Sequence, residues 1–201
     1  MTATSLPTSR RTRFASAAAL LTAVVAGSTL VAPAASAAPA GPSLVLTKAE
    51  FPAGSSDYMT GKPVPTRLKV STNPPPVCAT AIDRVNRATD SAQGTSATAR
   101  NGYSLMLTSV LTPQHAGVWR AATKACGGPV AELPVPGDLV RFNPVVLAYR
   151  DDKRTYAVEG VADVAGRTVD VYVSSLGETP ANTARFWDVF RAQIKKVEAA
   201  R

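Results

Sequence analysis

Two hydrophobic periods divide the chain. Arg167 to Ser174 steps by two, with Val169, Val171 and Val173 on one side and Thr168, Asp170 and Tyr172 on the other, which is the pattern of a strand with unlike faces. A turn at Val164-Ala165-Gly166 joins it to a return strand over Arg154 to Ala162. Before that, Asp151-Asp152-Lys153 makes a turn after a long strand, Leu139 to Arg150, interrupted near Asn143-Pro144. Together these predict an antiparallel meander with one solvated face. Tyr103 to Val110 predicts a further strand with Leu105 and Leu107 on one face and Met106 and Val110 on the other, so covered on both sides. Ser43 to Leu46 predicts a short strand. In the Gly- and Pro-rich stretch from Ala53 to Pro76 only Thr66 to Ser71 has strand texture, and Ser91 to Gly102 reads as a polar turn region.

The helical period accounts for the rest. Cys78, Ile82, Val85 and Thr89 share one face, and Pro76 suits the first helical position behind an extended Pro74-Pro75 lead-in. Thr112-Pro113 reads as the cap and first residue of a second helix with stripe Val118, Trp119, Ala122 and Cys126, ended by Gly127-Gly128-Pro129. A third helix runs from Asn182 to Ala199, its stripe Phe186, Phe190, Ile194 or Gln193, and Val197 widened by Trp187 and Val189. Thr47 and Glu50 have the spacing of a capping box. The fold class that follows is α+β: an antiparallel sheet with about three helices packed mainly on one face, in a single domain over 43–201.

The first 42 residues have a different character. Arg10, Arg11 and Arg13 precede an apolar run from Phe14 to Val31, and Ala35-Ser36-Ala37 fits signal cleavage, so 1–37 reads as a signal peptide and 38–42 as a disordered tail. The arginines of SRRTRF are close to a twin-arginine signal with its hydrophobic residue one place late, which leaves the export route open. The expectation is a secreted protein, extracellular or cell-wall associated, monomeric and without a stable membrane anchor. All 14 acidic residues follow the signal and three of the 22 basic ones lie within it, so the mature charge is +5. No block of like charge occurs, which argues against a nucleic-acid partner and for a small molecule or a cell-envelope polymer.

Export changes the meaning of the cysteines. In an oxidising compartment the pair Cys78 and Cys126 reads as a disulfide tying the start of one helix to the end of another, worth about 3 to 4 kcal/mol by loop-closure entropy. With one histidine in the chain, a zinc site lacks ligands, and no metal or cofactor is expected.

Motifs for catalysis are absent. Gly102-Tyr-Ser104-Leu-Met106 fails the nucleophile-elbow pattern at its last position, and His115 reads as a surface or capping residue. There is no P-loop, dinucleotide fingerprint or calcium loop. Asp151 and Asp152 read as turn formers. Glu159 and Asp170, though able to approach across the last hairpin, are expected on a solvated face with ordinary acidity. What remains is a binding patch: Tyr149, Tyr156 and Tyr172 from three neighbouring strands, with Arg150 and Asp170 close by.

LTKAEFPAG, PPPVCATAI, KACGG and FWDVFRAQIKKV, read in that order, resemble the actinobacterial extracellular sensor domain found in PknH-type Ser/Thr kinase ectodomains and in stand-alone exported proteins and lipoproteins. The resemblance covers nearly all of the mature chain. It implies a sheet with helices around a ligand cleft and no enzyme activity. The kinase domains carry a second disulfide that this chain, with two cysteines, does not make. Two other readings stand beside a non-enzymatic binding domain. SLVLT and FNPVVLAY resemble the small subtilisin inhibitors, although a reactive loop with its own disulfide is missing; the third is a secreted hydrolase without a recognisable constellation.

Overall fold

The computed structural model describes residues 44–63, 68, 74–126 and 130–200. The expected signal peptide and tail lie outside these, as do Ser43, the helix-ending Gly127-Gly128-Pro129 and, apart from Leu68, the strand texture at Thr66 to Ser71. Seven strands are present among the described residues: β1 Ser56–Gly61, β2 Gln93–Asn101, β3 Ser104–Thr112, β4 Val130–Glu132, β5 Val145–Arg150, β6 Thr155–Val164 and β7 Arg167–Ser175. The helices are α1 Pro76–Ser91, α2 Ala116–Cys126 and α3 Thr183–Ala199.

The strands form one sheet in the order β1-β2-β3-β7-β6-β5-β4, every pair antiparallel. After β3 the chain crosses through α2 to the far edge. It then returns inward strand by strand, so that β7 docks on β3 at the centre of the sheet. The fold is α+β with one disulfide, Cys78–Cys126.

Both faces of the sheet are covered. On one, Met106, Val110, Val146, Val158, Ala162, Val169, Val171 and Val173 meet Phe186, Val189, Phe190, Ile194 and Val197 of α3. Each buried side chain of this kind stabilises the fold by about 1.5–3 kcal/mol. Gly160 on β6 makes this approach possible, because a Cβ there would lie 2.7 Å from the Phe186 ring and 3.2 Å from Phe190. On the other face, Val145, Leu147 and Val161 pack against Ala81 and Val85 of α1 and Ala116, Trp119 and Ala122 of α2. Two helices thus share a face, as expected, but the third lies opposite, and the meander has no solvated face. The uninterrupted apolar run Val145 to Tyr149 already carries that information, since a strand covered on one side alternates.

Several local expectations are corrected. Ser91 to Gly102 is not a turn region: β2 runs through it, with Ala97 and Ala99 buried under the α3-side core and every residue paired to β3. Small residues and threonines conceal its alternation, while Asn101-Gly102 marks the hairpin turn, with Gly102 at φ 58°. The edge strand β1 is polar and exposed along most of its length, and so carries no period. Leu44 to Leu46 is buried but unpaired; Gln193 of α3, itself fully buried, donates to Leu44 O at 2.7 Å and accepts from Leu46 N at 3.0 Å, satisfying backbone that a strand would otherwise pair. The Thr47–Glu50 capping box forms as expected.

Helix α2 starts at Ala116, and Thr112 stays in β3. Its cap comes from the β6–β7 hairpin instead: Thr168 Oγ1 accepts from His115 N at 2.8 Å and donates to Asp163 Oδ1 at 2.7 Å, and the same Asp163 oxygen accepts from Ala116 N at 3.2 Å. His115, expected at the surface, is buried at 6% exposure, with Nδ1 3.0 Å from Pro113 O. Between Leu139 and Val145 the expected strand is a 3₁₀ turn, Val140–Phe142, closed by Asn143 in the left-handed region at φ 44°.

Candidate functional site

The prolines before Cys78 act as a lead-in: Pro75 is extended at φ −53°, ψ 141°, and Pro76 is the first residue of α1. Cys78 therefore sits in the first turn, on the buried side with Ala81 and Val85. Its disulfide to Cys126, the last residue of α2, holds the two Cα atoms 4.5 Å apart. The stapled helices form a lid over the face of the sheet that carries β3, β6 and β7 side chains of one parity.

Beneath this lid lies a cleft of about 50 Å³, room for a few water-sized groups. Its floor is Leu107, Ser109 and Leu111 of β3, Glu159 of β6, and Asp170 and Tyr172 of β7; Thr89 and Ala92 at the end of α1, Trp119 of α2 and Pro63 close it above and at the side. The sheet register builds that floor. Leu107 pairs with Tyr172, Ser109 with Asp170, and Glu159 with Tyr172, so Glu159 and Asp170 are diagonal neighbours on one face.

The two carboxyls are in an apolar setting. Glu159 is 4% exposed and accepts a hydrogen bond from the Tyr149 hydroxyl. Burial raises its pKa to about 7, against the opposing effect of that hydrogen bond. Asp170 is also raised, by burial first and by the charge of Glu159 second. The Tyr149 phenol is pushed up by burial and then by Glu159, so it remains a donor. Around neutral pH the pair therefore retains a proton between its members. What surface Asp170 keeps lies on the cleft, yet its Oδ1 is sealed and accepts no hydrogen bond among the described residues; Thr89 Oγ1 in the lid is likewise unpartnered. Among the described residues no Lys, Arg or His lines the cleft.

The three tyrosines come together: the Tyr149 ring centroid is 6.3 Å from that of Tyr156 and 6.4 Å from that of Tyr172. Their positions differ, however. Tyr172 lines the cleft, Tyr149 stands behind Glu159, and Tyr156 is 39% exposed at the bulge where the β5–β6 register shifts. Asp170 is in the cleft, whereas Arg150 is exposed and does not line it. Asp151 is the turn former expected, its Oδ1 accepting from Lys153 N and Arg154 N at 2.9 Å. Glu159, Trp119, Thr89 and Ser109 were not among the expected site residues. Alternation puts Glu159 and Asp170 on a solvated face with ordinary acidity; the lid overturns both. Parity placed Glu159 with Val161, Leu147 and Tyr149, but only the covering helices turn that parity into burial.

Among the described residues no group of His, Cys, Asp and Glu could hold a metal ion, and no helix is long and apolar enough to cross a membrane. The segment Phe142 to Tyr149, which resembled an inhibitor sequence, enters β5, an inner strand paired on both edges.

No protein-family model matches the chain, and no curated protein does. Among solved structures it is similar to an uncharacterised protein of Mycobacterium smegmatis, an actinobacterium, at 16% identity and a TM-score of 0.36, covering 75% of this chain and 93% of that one. At that score the likeness carries no argument about fold or activity.

Proposed function

We propose that this protein is an exported, non-enzymatic binding domain of the extracellular sensor type, and that the cleft under the stapled lid takes a small ligand. One observation carries the reading: Asp170 lines the cleft, and folding has buried its Oδ1 and left it without a partner among the described residues. A buried, unsatisfied carboxyl costs stability, so its retention at the floor of a cleft fits a group reserved for a ligand. The disulfide fits an oxidising compartment. A thermal-shift screen of small polar and charged compounds tests the proposal. A ligand at a hundred times its Kd stabilises the folded state by about 2.7 kcal/mol. Hits whose effect disappears in Asp170→Asn support the cleft, and hits indifferent to that change place binding elsewhere.

Glu159 at about pKa 7 favours a second reading, acid–base catalysis at the same floor. Turnover of a bound compound that Glu159→Gln abolishes while binding persists would bring that reading forward.

A further inference from the structure

Two carboxyls at the floor, no basic side chain among the described residues of its walls and an aromatic rim describe a site that lacks a positive charge. Glu159 has its hydrogen bond from Tyr149, but Asp170 and Thr89 line the cleft with a buried oxygen each, Oδ1 and Oγ1, that has no partner among the described residues. The rest of the lining is mostly apolar: Leu107 and Leu111 beside Ser109 in the floor, Pro63, Ala92 and Trp119 around them, and the half-buried Tyr172 ring. An occupant must therefore supply donors and positive charge at one end and an apolar stem at the other.

Resting on the binding function proposed above, we infer that the cleft is a site for a protonated amine, an ammonium group on a short apolar stem. An ammonium offers three donors and no acceptor, and the Glu159–Asp170 pair, which keeps a negative charge when its members share one proton, gives it acceptors and a counter-charge. Trp119 and Tyr172 in the lining set aromatic rings beside such a cation, which adds attraction out of water. A divalent metal fits poorly, since it asks for six or more oxygen ligands and the carboxyls here stand among Leu and Trp side chains. An anion would meet Glu159 and Asp170 with no compensating charge.

The test follows Trp119 fluorescence in the full chain carrying Trp187→Phe, which leaves Trp119 as the only tryptophan. The probes are n-butylammonium chloride, n-butanol and sodium butyrate at one fixed ionic strength. Butylammonium is expected to saturate the signal with a Kd at least tenfold below that of butanol, butyrate to give no saturation, and Asp170→Asn to weaken butylammonium tenfold or more while leaving butanol unchanged. Equal affinity for butylammonium and butanol would overturn the amine assignment and leave the binding function standing, and tighter binding of butyrate would do the same. Failure of all three to reach Trp119 would overturn both. If Asp170→Asn does not fold, the probe series on the parent chain decides the matter.

Discussion

Glu159 shows how one residue changes meaning between sequence and structure. Along the chain it is an acidic residue in an alternating strand, and such residues face water more often than not. In the fold it sits under Trp119 and beside Asp170, so its charged form is penalised. A carboxyl whose folded pKa is raised binds more protons when folded than when unfolded, so stability falls as pH rises. For Glu159 the fall begins at the ordinary value of 4.5 and is complete near 7. Urea denaturation across pH 4 to 8 should show this loss, of about 3 kcal/mol, and Glu159→Gln should reduce the pH dependence, Asp170 keeping its own share, and leave the protein more stable at pH 8. A variant that keeps the full pH dependence would mean that the burial is wrongly assigned. Gly160 is the opposite kind of residue, legible only after the fold is known. Glycine there gives Phe186 and Phe190 direct access to the sheet, so Gly160→Ala should destabilise by about 1–3 kcal/mol in the same assay.

The elements with strong periodicity were legible: α1, α3, the β5–β7 meander and β3 all follow their apolar spacing. β2 was not, because alanine, serine and threonine alternate without contrast, and β1 was not, because an exposed edge has no buried face to mark. The start of α2 was misread for another reason. Thr112-Pro113 is locally a good helix opening, but caps from Asp163 and Thr168, 47 and 53 residues away, set the boundary. Asp163→Ala should cost about 1 kcal/mol, and amide exchange should quicken first at the N-terminal turn of α2. The disulfide was legible from its flanking helices. Its partners are 48 residues apart, a loop whose closure is worth about 4 kcal/mol. The double variant Cys78→Ser, Cys126→Ser should lose about that much in chemical denaturation. Hydrogen exchange should rise in α1 and α2 while α3, on the opposite face, keeps its protection; a uniform rise would contradict the idea of a separately stapled lid.

For the whole molecule, the fold class and the approach of the Tyr149, Tyr156 and Tyr172 rings were within reach of pattern reading, while the cleft was not. A cleft is made by what two layers fail to fill, and its residues come from β3, β6, β7, α1 and α2 at positions no local motif connects. What links them is the opposition of an apolar lid and a polar floor. The central claim, that this floor is kept for a ligand, is tested most directly by nuclear magnetic resonance of the isotope-labelled protein against a mixture of small amines, alcohols and acids. Binding is expected to shift the amide signals of Glu159, Asp170, Tyr172 and Thr89 and the indole signal of Trp119 together, with a saturating dependence on concentration. Saturable shifts confined to the exposed surface around Tyr156 and Arg150, with the cleft signals unmoved, would contradict the account.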